Sequence, residues 1–401
     1  MSKSAEKPNN GGRIGVIDAV RGFAILGILF ANIQSWSGYK FIPLETIEQL
    51  PYFALDSLFN ALQLWVIDGK FYAMFSMLFG VGFGLQYSKY EADEARFLPT
   101  YRRRQLFLLL FGVIHALIWS GDILVLYALL AFVMIELRRV PNPWLLPLAL
   151  GLLAFFLVPQ AIHLLLYGPV EAAPTLAHKT YPDVSPQEIV AAFGSGGLAE
   201  AFSMNLHNLY WRWLDFIPNG RISRVLGIFM LGYYLARTGY FSGRASSWKL
   251  LGIYLIMGLV MTRAAIALDG ELTNWASDWR DWFAKSLAVA SQGFLAMFYT
   301  SVLAILYNSS LLNPVLYPLT LVGRMAFTSY LSQTLIGILI FYGIGFGYFG
   351  QLGLAQLWAL ALIIYAFQVL FASLWLRYFR QGPVEWVWRC LTAGKYSPNL
   401  R

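Results

Sequence analysis

The chain has 401 residues, 58% of them hydrophobic and 12% charged, with a net charge of +8 and a single cysteine. A soluble domain carries roughly 25% charged residues, so half that fraction leaves too little polar surface to cover a water-soluble body. One cysteine excludes an internal disulfide and a cysteine zinc cluster. The positive charge does not indicate nucleic acid, because the basic residues gather where apolar segments end, as insertion polarity and anionic lipid favour.

The first thirteen residues, MSKSAEKPNNGGR, are polar and predict a disordered cytoplasmic tail (1–13). A helix needs about 20 apolar residues to cross the hydrocarbon core of a bilayer. Candidate spans follow at 14–37, 69–87, 104–120, 123–137 and 144–166, then at 222–240, 248–268, 283–307, 323–345 and 354–378. Together they predict an all-α fold: a polytopic membrane bundle of about ten transmembrane helices over 14–380, with interfacial helices. Between the first two spans, PYFALDSLFNALQLWVIDGKF reads as an interfacial helix on the outer face. The longest connection, 168–221, ends in AEAFSMNLHNLYWRWLDF, whose Tyr210, Trp211 and Trp213 suit a headgroup belt. The last segment, 381–401, is expected along the cytoplasmic face.

With the N-terminus placed inside, eighteen of the 29 Lys and Arg residues fall on the cytoplasmic side and nine on the opposite side, while Arg21 and Arg324 lie within spans. That two-to-one bias predicts that both termini are cytoplasmic. Acidic residues such as Asp269, Glu271, Asp278 and Asp281 cluster outside. Glycines within the spans (Gly22, Gly27, Gly80, Gly82, Gly84) fit close helix packing and leave room for a homodimer. Gly345, Gly347 and Gly350 share the dinucleotide-fingerprint spacing, but no strand precedes them.

In a bilayer the informative residues are the ionisable ones inside spans, since Arg or Asp at a helix centre costs about 2.5–3.5 kcal/mol on insertion scales. Asp18, Arg21 and Asn32 lie in the first span. Arg21 and Asn32 are about three turns apart and share a face, and Asp18 sits one turn below Arg21, where the two can pair. Such an arginine either fixes helix packing or binds an anionic group from the cytoplasm. His115 precedes Asp122 by seven residues, two turns if the helix continues, so both can face one cavity near the outer interface. A histidine oriented by a carboxylate is a candidate general base, although an aspartate there also serves to cap the next helix. Arg324, Thr328 and Ser332 step by four along the ninth span, with Gln333 beside them and Gln368 facing from the tenth. Glu385 is placed to pair with an arginine at the inner face. His163, His178 and His207 are scattered, so no metal site is expected.

These residues resemble a known family. IDAVRGFAILGILFANI (17–33), GKFYAMFSMLFGVGFGLQ (69–86), FGVIHALIWSGDILVLYAL (111–129), GIFMLGYYLARTGYF (227–241), GRMAFTSYLSQT (323–334) and GPVEWVWRCLTAGKY (382–396) look like the YeiB-like family of bacterial inner-membrane proteins, a domain of unknown function. The family is distantly similar to membrane acyltransferases such as the heparan glucosaminide acetyltransferases. The shared element is an acid, an Arg-Gly and a later Asn in the first helix, here Asp18, Arg21-Gly22 and Asn32. The resemblance implies transfer of an acyl group from a cytoplasmic thioester, an acyl-CoA-like donor, to an acceptor across the membrane. Those enzymes rely on a histidine near the first helices; the first histidine here is His115, the substitute candidate. On this reading His115 and Asp122 are catalytic, and Asp18, Arg21, Asn32, Arg324, Gln333 and Glu385 bind substrate, with membrane lipids as partners. A transporter or lipid-handling protein for a small anion or amphiphile, and a non-catalytic scaffold, are the competing readings.

Overall fold

The computed structural model describes residues 15–169, 181, 183–217, 219–268, 276–309 and 313–401. The predicted tail 1–13, His178, Asp269 and Glu271 lie outside them. Where water is absent, each backbone N–H and C=O must find a partner within its own segment, which favours helices. The described residues accordingly form helices, with isolated β-bridges at Tyr181–Val184 and Phe379–Leu400.

In chain order the helices are α1 (Gly15–Trp36), α2 (Leu44–Ile47), α3 (Asp56–Leu62), α4 (Lys70–Tyr90), α5 (Glu94–Ile118), α6 (Leu124–Leu137), α7 (Asn142–Ala154), α8 (Leu157–Tyr167) and α9 (Pro186–Gly194). They continue as α10 (Leu198–Phe216), α11 (Arg221–Arg237), α12 (Trp248–Ala267), α13 (Trp279–Asn308), α14 (Asn313–Arg324), α15 (Ala326–Phe341), α16 (Leu354–Tyr378) and α17 (Pro383–Ala393). Among the described residues, five helical stretches are long and apolar enough to cross a membrane: Gly15–Trp36, Phe53–Tyr90, Trp248–Ala267, Trp279–Asn308 and Leu354–Tyr378. A sixth is reached if α7 and α8, bent by 48°, act as one span. The apolar helices α6 and α15 are shorter.

Helix α1 is the axis of the bundle. It packs against α4, α13, α14, α15 and α16, and Ala19, Val20, Ala24, Ile25, Leu29 and Ile33 are fully buried. Glycine sets the closest crossings. A Cβ on Gly22 would lie 1.9 Å from the Leu319 carbonyl oxygen, and one on Gly323 would lie 1.8 Å from that of Asp18, so α1 and α14 touch backbone to backbone. Gly80 and Gly232 do the same for α4 and α11.

Two predicted spans are broken. The expected helix 144–166 divides at Phe155-Phe156, just before the first turn of α8, where Pro159 lacks the N–H a longer helix would need. The expected span 323–345 divides at Met325. Arg324 therefore closes α14, while Thr328 and Ser332 belong to α15, and the single polar stripe expected for these three is not continuous. The predicted outer interfacial segment runs as α3, a π-helical stretch Gln63–Ile67 and a left-handed Gly69, which redirects the chain into α4.

Candidate functional site at the turn between α5 and α6

The last turn of α5 ends at Ile118, and Trp119 leaves in an extended conformation. The chain then doubles back into α6. Gly112 permits this, since a Cβ there would lie 2.7 Å from the Val125 nitrogen. Gly121 leaves space for the Trp119 ring, which a Cβ would overlap. Asn205 of α10 fastens the turn: its amide donates to the carbonyls of Ala116 and Leu117, at 3.0 Å each, and its oxygen accepts the Ser120 N–H. Helix α10 presents Asn205, Asn208 and Arg212 to this region from one face.

The turn brings the two predicted catalytic residues together. His115 Nδ1 lies 2.7 Å from Asp122 Oδ1, with both side chains buried. The other carboxylate oxygen of Asp122 accepts the Val125 N–H at 2.8 Å, so the residue also caps α6. His115 Nε2 lies 2.9 Å from the Thr334 hydroxyl of α15. An ionised Asp122 can only accept, which puts the proton on Nδ1 and leaves Nε2 as the lone pair that receives the Thr334 O–H. Asp, His and a hydroxyl in this order have the geometry that a general-base relay requires, which is recognised by arrangement rather than by sequence order. Arg212 donates to the carbonyls of Gly121 and Asp122 at 3.2 and 3.3 Å. A small cavity lies beside the turn, lined in part by Ser35, Trp119, Gly121, Asn208 and Arg212. Trp119, packed edge-on against His115, forms part of its wall, and His115 itself does not line it.

Of the other predicted residues, Asn32 lies in the last turns of α1, near the Ser35 and Trp36 that meet the His115 turn, and the rest lie toward the opposite end of the bundle or at its centre. Asp18 and Arg21 form an ion pair at 3.3 Å. Arg21 lies within Coulombic range of Arg104, which in turn senses Arg389 and stacks on the Trp388 ring at 4.0 Å. Asn32 is half-buried and carries no side-chain hydrogen bond among the described residues. Arg324 donates to the Arg380 carbonyl at 3.3 Å. Gln333 is fully buried and donates to Gln368 Oε1 at 2.9 Å, while Gln368 donates to Ser329 O and Ser332 Oγ, tying α15 to α16. Glu385 does not pair with an arginine among the described residues. Its carboxylate accepts the N–H groups of Phe327 and Thr328 and the Thr328 hydroxyl, so it caps α15 at the break after Met325. Burial pushes the Glu385 carboxyl above its ordinary value, against the pull of the Thr328 bonds.

Sequence reasoning missed Thr334, Asn205 and Arg212. Thr334 lies 219 positions from its partner, with no local signal for the contact. Asn205, Asn208 and Arg212, at i, i+3 and i+7, form a polar stripe that marks a second packed face on a helix whose aromatic residues suit a headgroup belt.

A family described as "Protein of unknown function (DUF418)" matches residues 235–395. The chain is 32% identical to the uncharacterized protein YxaH of Bacillus subtilis, over 96% of each chain. It is 31% identical to the uncharacterized protein YeiB of Escherichia coli, over 96% of this chain and 97% of that one. An uncharacterized 39.9 kDa protein from the amylase 3' region of Bacillus acidopullulyticus is 28% identical over 97% of this chain and 96% of its own. No solved structure matches.

Proposed function

The chain belongs to the YeiB-like family, a family of unknown function, and from the site it carries we propose that it is a membrane acyl-group transferase. The observation that carries the reading is the buried Asp122–His115–Thr334 relay. In the proposed reaction an acceptor hydroxyl takes the place of Thr334 at Nε2. His115 removes its proton as the oxygen attacks a thioester carbonyl. The C–S bond breaks, and the departing thiolate takes the proton from the imidazolium. Asp122 holds the tautomer and stabilises the transient cation. Entry of the acceptor displaces Trp119, which stands between His115 and the adjacent cavity.

The donor enters at the other end. Arg21, Arg104 and Arg389 form a cationic group suited to the phosphates of an acyl-CoA-like molecule. In this reading the bundle crosses a bacterial inner membrane about ten times, with both termini in the cytoplasm and the His115 turn toward the outer face. The test is thioester-dependent transfer by the purified, reconstituted protein, followed as release of free thiol. His115→Ala is expected to lower the rate by about 10²–10⁴-fold, the usual contribution of a positioned base. Unchanged turnover in that variant would overturn the proposal. Transport of a small anion is a second reading, favoured by one feature: Arg21, Ile28, Asn32 and Ser35 form a partly open face along α1. Uptake into vesicles without thiol release would select it.

A further inference from the structure

Beside the His115 turn the protein gathers three arginines that the acyl-transfer reading does not use. Arg212 projects from α10, and Arg221 and Arg224 from the first turn of α11. Arg221 lies within Coulombic range of both of the others. Arg224 is buried and spans from the Phe156 ring, at 5.2 Å, to the Gln292 side-chain oxygen, at 3.4 Å. Arg221 stacks on the Tyr72 ring at 4.1 Å and makes no hydrogen bond with a described residue. The Nε groups of all three arginines, and the Tyr72 hydroxyl, are buried without a partner among the described residues. None of the three forms a salt bridge among the described residues. The carboxylate within reach of Arg212, that of Asp122, has one oxygen on His115 and the other on the Val125 N–H.

Buried charges persist only when compensated. Arg221 and Arg224 stand in the first turn of a long helix whose Gly220 N-cap offers no side-chain cap, Arg212 approaches from α10, and the idle N–H donors of the three call for an anion. A carboxylate brings one charge and two oxygens. A phosphate brings more charge and enough oxygens for several guanidinium forks, and arginine recognises it in two-pronged fashion. Tyr72 adds an unused hydroxyl donor, and the Tyr72 and Phe156 rings hold the Arg221 and Arg224 guanidinium groups in place.

We infer that Arg212, Arg221 and Arg224, with Tyr72, form a binding site for a phosphate group beside the His115 turn. The phosphate is either free or the headgroup of an amphiphile. The site stands on the arginines and requires no chemistry at His115; if acyl transfer is also established, it places a phosphate-bearing acceptor next to the base.

The test uses the purified full chain in a neutral detergent, with thermal unfolding and calorimetric titration. The probes are inorganic phosphate, dihexanoyl phosphatidic acid and, as a carboxylate control, acetate. Saturable binding of a phosphate probe is expected, with affinity reduced at least about tenfold in Arg221→Gln and in Arg224→Gln and partly kept in Arg221→Lys. Binding of phosphatidic acid alone would identify a lipid headgroup, and equal binding of inorganic phosphate a free anion; both support the site. Failure of both phosphate probes with wild type, acetate binding as tightly as phosphate, or unchanged affinity in Arg221→Gln would overturn it. Arg224 also holds Phe156 and Gln292, so Arg221→Gln, which removes no hydrogen bond, is the decisive variant. His115→Ala should bind phosphate as wild type does, so loss of transfer and loss of this site are separable.

Discussion

Replacing Asp122 with Asn tests the relay with almost no change of shape. In the wild type, one carboxylate oxygen of Asp122 takes the His115 Nδ1 proton at 2.7 Å and the other takes the Val125 N–H at 2.8 Å. An amide has only one oxygen. The Val125 N–H can use nothing else, so the NH2 group turns to His115 and needs an acceptor there. Nδ1 must then be bare, the proton moves to Nε2, and Nε2–H donates to Thr334. Every bond survives, but the charge-assisted one becomes neutral. Bonds to charged groups contribute about 1.5–3 kcal/mol and neutral ones about 0.5–1.5, so the fold loses roughly 1 kcal/mol. The base, however, is inverted, and any proton transfer through Nε2 falls by about 10²–10⁴-fold. The direct readout is the nitrogen resonances of ring-labelled histidine, with only four histidines to resolve and His115→Gln to identify the signal. The wild type should show a protonated Nδ1 and the variant a protonated Nε2. A variant that keeps the wild-type tautomer would refute the account of the relay.

Asn205→Leu strands the Ser120 N–H and the carbonyls of Ala116 and Leu117, at about 1–3 kcal/mol for each buried orphan; thermal unfolding should show a loss of several kcal/mol. Gln333→Leu leaves Gln368 Oε1 without its donor and should cost about 1–2 kcal/mol, whereas adding Gln368→Leu should cost less than the sum of the two single changes, measured as a double-mutant cycle. Glu94 accepts from Arg139, Arg138 and Tyr87, which hold its carboxyl well below the ordinary 4.5. A depressed carboxylate adds stability that is complete above the ordinary value and is lost as pH falls toward the folded value. Glu94→Gln should therefore unfold more easily than wild type at neutral pH, with the gap closing progressively below pH 4.5.

The helices were legible because a long apolar run has one way to satisfy its backbone in lipid, and all ten predicted segments contain helix. Of the two breaks, the one before α8 had a local mark in Pro159, but the other had none, because it depends on a distant group. The α14–α15 interruption is stabilised by Glu385, 57 positions beyond Thr328, and no local feature of GRMAFTSYLSQT announces it. The pairing of His115 with Asp122 was legible in its result but not in its route. Spacing suggested two turns of one helix, yet α5 ends at Ile118 and the residues meet across a turn held by Asn205. In the sequence Arg212, Arg221 and Arg224 are only basic residues on the less basic side. Their convergence requires α10 and α11 to be placed in space, as does the contact of Thr334 with His115.

Helix α5 fixes the distance between the two ends of the proposed site. Arg104, beside Arg21, and His115 lie on the same helix eleven residues apart, roughly 16 Å at 1.5 Å per residue. Neither end is free to slide: Trp388 of α17 donates to the Arg104 carbonyl at 2.9 Å, and Asn205 of α10 holds the last turn beyond His115. An anionic donor held at the inner arginines reaches His115 only with an arm of about that length, roughly half the 30 Å hydrocarbon core. The arm of an acyl-coenzyme A meets this requirement and an acyl phosphate does not. Acetyl-coenzyme A should therefore support thiol-releasing transfer and acetyl phosphate should not serve as a donor, with the acetylated product followed from both by mass spectrometry. Equal yields from the two donors would mean that the acyl group does not travel along α5, and the inner arginines would lose their role.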